Sequence, residues 1–227
     1  KLINSGYFVI IGGKTKLAHL NESNQCTFIQ GDVSNPEFHS LLVSKALEKN
    51  DYINLYVNNA GFSEWRPIEN ISKEFLNHIF SVNLFGAFWG CKAALPYMRD
   101  SSSIINISSI AGKRGSSNNS AYVATKFGMN GLTQSLAKEV GVKGIRINAI
   151  CPVLVKTDGL LKALDQRSAP GNNDSLNFID QFKTSNSALN RLPEVDDIAE
   201  MVLFLASSSA RAITGQCINV DCGVFPQ

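Results

Sequence analysis

The chain has 227 residues, 44% of them hydrophobic and 18% charged, with a net charge of +2. That balance suits one large domain with a substantial core and argues against a nucleic-acid or anionic-membrane surface. No run of 18 apolar residues occurs, so no transmembrane helix is expected, and no signal-peptide pattern opens the chain; the expected location is the cytoplasm.

In chain order, Tyr7–Ile11 reads as a buried strand ending at Gly12-Gly13, and Cys26–Ile29 as a second. A helical pattern covers residues 36–49 before a third strand at Tyr52–Val57. Residues 72–99 form a longer helical stretch, followed by a strand at Ser103–Ile107. The helix expected at 119–141 leads into Ile145–Ile150, and the helix at 194–207 into Cys217–Val220. Strands alternating with helices imply βαβ units. The expected fold is α/β, a doubly wound parallel sheet (Rossmann fold) in a single domain over residues 1–227, with ligands at the carboxyl ends of the strands. Residues 158–190, rich in Ser, Asn and Asp, break the rhythm. Composition leaves two readings open there, an active-site lid and a mobile surface excursion. The five cysteines are scattered without C-x-x-C, and His19, His39 and His78 lack zinc-ligand spacing, so free thiols and no metal are expected.

Tyr122 and Lys126 lie four residues apart, which stacks them on one helix face. An ammonium beside a phenol favours phenolate, so the spacing predicts a lowered Tyr122 pKa and acid–base work. Ser109 follows a strand thirteen residues before Tyr122 and would otherwise read as a helix or turn cap. Asn83 alone would be a core or helix-surface amide, and Asn59 a turn residue. Asn58-Asn59-Ala60-Gly61 follows the third strand, where small residues admit a ligand to the backbone, and Cys151-Pro152 follows the fifth. Phe75, Phe80, Phe85, Phe88 and Trp89 read as helix packing.

Together N-N-A-G, S-x12-Y-x3-K, Asp32-Val33 after a strand, and Thr214–Gly223, similar to a T-G-x-x-x-x-V-D-G-G ending, resemble the classical short-chain dehydrogenase/reductase family. The resemblance implies that Tyr122 exchanges a proton with a carbonyl or alcohol oxygen. It implies that Ser109 holds that oxygen, that Lys126 lowers the Tyr122 pKa and bonds the nicotinamide ribose, and that Asn83 positions a connecting water. It places Asp32 and Val33 at the adenine, Asn59, Ala60 and Gly61 near the adenosine, and Pro152, Val155 and Thr157 near the nicotinamide. Gly13 stands where an NAD-selecting acid would, with Lys14 beside it, which favours NADP(H) over NAD(H). The family's T-G-x-x-x-G-x-G turn does not occur; by alignment the chain is expected to start late in the first helix of an incomplete sequence, without the first strand or glycine-rich loop. Val153 and Cys222 replace family glycines.

The implied activity is hydride transfer between NADP(H) and a ketone or secondary alcohol, with a 3-oxoacyl-carrier-protein reductase-like enzyme the nearest pattern. Lys162, Arg167, Lys183 and Arg191 form no clear clamp for an acidic acyl-carrier partner. The expected partners are a small carbonyl or alcohol substrate and further copies of the chain, as a tetramer or dimer, since in the family the helices bearing these aromatics and Tyr122 often build a tetramer interface. The alternative is a non-catalytic dinucleotide-binding regulator or scaffold of the same fold.

Overall fold

The computed structural model describes residues 1–16 and 23–226, so His19 lies outside the described residues. Six strands run parallel: β1 Val9–Gly13, β2 Cys26–Gln30, β3 Leu55–Asn58, β4 Ser103–Ile107, β5 Arg146–Pro152 and β6 Cys217–Val220. They form two sheets, β1-β2 and β3-β4-β5-β6. β4 is buried from both sides because alternate residues serve opposite faces. Ile104 joins Ile147, Cys91, Ala94 and Ala137 in one core. Ile105 joins Ile150, Val202 and Leu205 in the other.

The helices are α1 Pro36–Leu47, α2 Lys73–Phe80, α3 Gly86–Ala94, α4 Ser120–Val140, α5 Asp158–Leu164, α6 Ser175–Asn186 and α7 Val195–Ala206. Asn35 caps α1, its Oδ1 accepting the Glu37 N–H at 3.1 Å. The single helix expected over 72–99 is α2 and α3 joined by a π-helical turn, Ser81–Phe85. Among the aromatics expected to pack, Phe75 is buried, whereas Phe85 and Phe88 are each 46% exposed.

A cavity of about 830 Å³ separates the two sheets. Consecutive residues of both β1 and β3, Val9 to Gly12 and Leu55 to Asn58, line it, so each strand presents an edge rather than a face. β1-β2 and β3–β6 thus face each other edge to edge without a shared ladder.

Residues 158–190, which composition left open between a lid and a mobile surface excursion, contain α5 and α6. Leu160, Ala163, Leu164, Phe178 and Ile179 pack on Trp65, which projects from the segment after β3. Asn118 adds a hydrogen bond from Nδ2 to the Ser168 carbonyl at 3.2 Å.

Candidate active site

The carboxyl ends of β3, β4 and β5 converge on the first two turns of α4. A buried polar chain fixes their spacing: Asn58 Nδ2 donates to Asn106 Oδ1 at 2.8 Å, and Asn106 Nδ2 to Thr133 Oγ1 at 2.9 Å. Each buried amide found a partner, so the chain aligns strands without leaving desolvated groups unpaired. Sequence patterning showed Asn106 and Thr133 only as polar residues inside apolar elements.

Lys126 is buried, and its Nζ donates to the Ile107 carbonyl at 2.8 Å. Its ammonium lies 5.6 Å from the Tyr122 ring centroid. Ser109 is extended and caps the short turn Ile110–Gly112, its Oγ accepting the Ala111 N–H at 3.1 Å. The same hydroxyl donates to the Pro152 carbonyl at 3.5 Å and lies beside the Tyr122 phenol. Capping and a place in the site are therefore both true of Ser109.

Asn83 sits fully buried in the π-helical turn. Its Oδ1 accepts the Phe62 N–H at 2.9 Å, and its Nδ2 donates to the Phe62 carbonyl at 2.8 Å. Nδ2 also reaches Thr125 Oγ1 at 3.4 Å, and Thr125 donates to the Tyr122 carbonyl at 2.7 Å. The side chain thus clamps the segment after β3 to α4. Gly61 closes this group: a Cβ there would stand 3.2 Å from Asn83 Oδ1 and 3.8 Å from Lys126 Nζ. Asn83, Ser109, Tyr122, Lys126 and Gly61 are brought together as the sequence expected.

The electrostatics differ from expectation. Burial pushes the Tyr122 phenol above its usual range, with Ser109 pulling the other way and the charge of a Cys151 thiolate adding to the rise. Burial draws Lys126 down to about 8, opposed by Cys151. Residue spacing fixes proximity, but the ammonium is aimed at a carbonyl, and desolvation governs the phenol.

The other expected ligand residues line two flanks. Lys14 Nζ lies 3.0 Å from Asp32 Oδ2, across the ends of β1 and β2, while Asp32 Oδ1 accepts the Ser34 N–H at 2.9 Å. Burial raises the Asp32 pKa, but the Ser34 N–H and Lys14 outweigh it and hold the carboxyl below its usual range. Gly13 ends β1 with open space at its Cβ, which meets only Phe28 at 4.0 Å. Asn59 and Ala60 are exposed, and Val33 is half-buried. On the other flank Pro152 and Val153 are buried, Val155 is half-buried, and Thr157 caps α5 through the Leu160 N–H at 3.2 Å. Val153 is not among the residues with positive φ, so it accommodates its family-glycine position without strain, whereas Cys222 takes a φ of 54°, a left-handed conformation unusual for cysteine. The five cysteines are free, and no described helix is long and apolar enough to cross a membrane.

This strand-end site on a parallel sheet, with a phenol, hydroxyl and ammonium beside a glycine-lined approach, defines a nucleotide-dependent α/β oxidoreductase. Residues 8–225 match a family model described as enoyl-(acyl carrier protein) reductase. Diacetyl reductase [(S)-acetoin forming] of Staphylococcus epidermidis is 33% identical over 99% of this chain and 91% of its own length. The 3-oxoacyl-[acyl-carrier-protein] reductase of Chlamydia trachomatis is 36% identical over 88% of this chain and 77% of its own. The ligand-free aldohexose dehydrogenase of Thermoplasma acidophilum superposes with a TM-score of 0.87 and 31% identity, covering 99% of this chain and 89% of that one. The chain belongs to the classical short-chain dehydrogenase/reductase family. It is a ketone and secondary-alcohol oxidoreductase of a family that uses NAD(P).

Proposed function

We propose that the protein reduces a small uncharged ketone with NADPH, Tyr122 being the proton donor. The observation that carries this is the Ser109–Tyr122–Lys126 cluster, with its phenol kept protonated at neutral pH by burial. A protonated phenol is ready for the reductive direction, since it must donate when the carbonyl oxygen gains charge. The residues suit a dinucleotide: Gly61 leaves the room a side chain would fill, and Lys14, Asp32 and Val33 gather at one flank. The bound nicotinamide supplies the hydride.

Each side chain then has a defined task. Ser109 Oγ donates a hydrogen bond to the substrate oxygen and steadies its developing charge. Tyr122 delivers its proton to that oxygen. Lys126 places a positive charge beside the phenolate left behind, and bonds the ribose. Asn83 holds the Phe62 peptide and, through Thr125, the first turns of α4, and so positions the connecting water. Asp32 and Val33 receive the adenine, Asn59, Ala60 and Gly61 the adenosine side, and Pro152, Val155 and Thr157 the nicotinamide amide. Residues 158–190 act as the lid, its apolar helices seated on Trp65.

A small substrate is favoured by that seating and because no cationic clamp is gathered among the described residues: Lys162 and Arg167 are exposed, Lys183 pairs with Asp180 at 2.5 Å and Arg191 with Asp197 at 2.9 Å. The identity to diacetyl reductase supports the same choice, and the match to the carrier-protein reductase supports a 3-oxoacyl group as the second reading. Lys14 beside Gly13 supports NADP(H). Phe85, Phe88 and Phe127, 46%, 46% and 48% exposed on neighbouring helices, support self-association as a dimer or tetramer in the cytoplasm.

The test follows NADPH and NADH consumption with diacetyl, acetoin and a 3-oxoacyl thioester. Tyr122→Phe should still bind NADPH but lose turnover by roughly 100- to 10,000-fold. Full activity in that variant would refute the mechanism, and faster reduction of the thioester would favour the second substrate reading.

A further inference from the structure

His39 is a deeply buried imidazole outside the catalytic cluster that the mechanism leaves unused. It projects from α1, is 2% exposed, and makes two short hydrogen bonds. Nε2 lies 2.7 Å from the Val33 carbonyl, and Nδ1 lies 2.8 Å from the Tyr56 hydroxyl. A carbonyl can only accept, so Nε2 carries the hydrogen. In the neutral ring Nδ1 then accepts, and the Tyr56 hydroxyl donates to it. Burial keeps every member in this form: it lowers the His39 pKa and raises that of Tyr56. Each donor and acceptor therefore has one assigned direction.

The placement matters because of what the two ends belong to. Val33 follows β2, in the turn where Asn35 N–H bonds the Asp32 carbonyl at 3.0 Å and α1 begins. Tyr56 is in the middle of β3, in the other sheet. β1-β2 and β3–β6 share no ladder, so Val33–His39–Tyr56 is a polar link across the divide. On its far side the Val33 carbonyl lies 3.0 Å from where a Cβ on Gly86 would stand, which confines the turn between α1 and α3.

We infer that His39 is a positioning residue for dinucleotide binding: it holds the Val33 carbonyl, and with it the Asp32–Val33 turn, at a fixed distance from the β3 end of the site. This rests on the proposed role of Asp32 and Val33 at the adenine. His39 acts through the turn and touches no reacting atom, so its loss weakens binding and spares the chemical step.

The experiment measures the NADPH dissociation constant of the full chain by nicotinamide fluorescence, with kcat and thermal midpoints alongside. His39→Phe should raise the dissociation constant about tenfold with kcat nearly unchanged, as expected for one lost buried hydrogen-bond link. His39→Gln keeps a donor and an acceptor and should recover most of the affinity. Tyr56→Phe removes only the outer bond, remains foldable if His39→Phe is not, and should raise the constant about threefold. Unchanged affinity in His39→Phe or in Tyr56→Phe would overturn the inference. So would a Gln variant no tighter than the Phe variant, or kcat falling in step with affinity. An unaltered chain that binds neither NADPH nor NADH would instead overturn the cofactor reading, and this inference with it.

Discussion

The two sheets obey one parallel grammar but are held together differently. β5 is buried along its whole length and β4 nearly so, whereas β1 is half-buried throughout and β2 ends exposed. The residues proposed for proton transfer all stand on or beside the larger sheet, tied by Asn58, Asn106 and Thr133. Asp32 and Val33, proposed for the adenine, stand beside the smaller one, which meets the rest through α1 packed on α3 and through His39. The proposed chemistry thus stands by the deeply buried β4 and β5, and the proposed adenine site by the half-buried β1 and β2. Substitutions on the two sides should separate turnover from binding.

The largest separation should come from Lys126→Met. Turnover should fall roughly 100- to 10,000-fold, the range for losing a proton-transfer partner, while substrate-free folding survives. Asp32→Asn should instead raise the KM for NADPH and leave kcat near its starting value. If both variants lost kcat alike, the division of labour between the sheets would be wrong.

Stability should divide along the same line. Ile105→Ala and Ile150→Ala remove fully buried side chains from the core under α7 and should each cost about 2–5 kcal/mol. Ile11→Ala, at a half-buried position on β1 beside the cavity, should cost less than either. Urea unfolding read by tryptophan fluorescence decides the order, and an Ile11→Ala cost equal to that of Ile105→Ala would break the contrast.

This contrast also explains what the sequence could tell. The runs of β4 and β5 were plain because isoleucines recur in both, while their buried polar residues Asn106 and Asn148 are hydrogen-bonded inside the fold rather than turned to water. The site order was plain because Ser109, Tyr122 and Lys126 keep fixed spacing on one strand end and one helix. α6 was not: Phe178, Ile179 and Phe182 are scattered among Ser, Asn, Asp, Gln and Lys, and only docking near Trp65 gives them a buried side. The π-helical turn at Asn83 has no local signal, since its residues suit an α-helix equally. His39 looked like a stray histidine because its partners, Val33 and Tyr56, meet it only in the folded chain. The Tyr122 pKa escaped for the same reason: spacing gives a neighbour, whereas desolvation depends on everything packed around both.

Desolvation of Lys126 makes stability depend on pH in the alkaline range. Its pKa falls from 10.5 to about 8 in the folded protein. Below pH 8 both folded and unfolded chains hold the proton, so the full cost of burying the ammonium is present. Between about 8 and 10.5 the unfolded chain binds more protons than the folded one, and stability rises with pH. The contribution is on the order of 3 kcal/mol across that window. Unfolding midpoints of the native chain relative to Lys126→Met should climb from pH 8 to 10; a parallel pair of curves would show that the ammonium is not desolvated as the structure places it.

The smallest effect belongs to the exposed flank. Lys14 and Asp32 are 59% and 39% exposed, so their 3.0 Å ion pair contributes roughly 0.2–1 kcal/mol to folding and weakens in salt. Lys14→Ala should therefore leave the thermal midpoint almost unmoved. Its consequence is for selectivity, because the ammonium beside Gly13 would attract a 2′-phosphate. Removing it should lower the preference for NADPH over NADH by about fivefold at most, the range open to an exposed charge, and added salt should narrow the gap between native and variant. A ratio of NADPH to NADH affinity that ignored both Lys14 and ionic strength would remove the case for NADP(H) while leaving Tyr122 and its neighbours untouched. That independence is what a site divided between a buried sheet and a half-buried one requires.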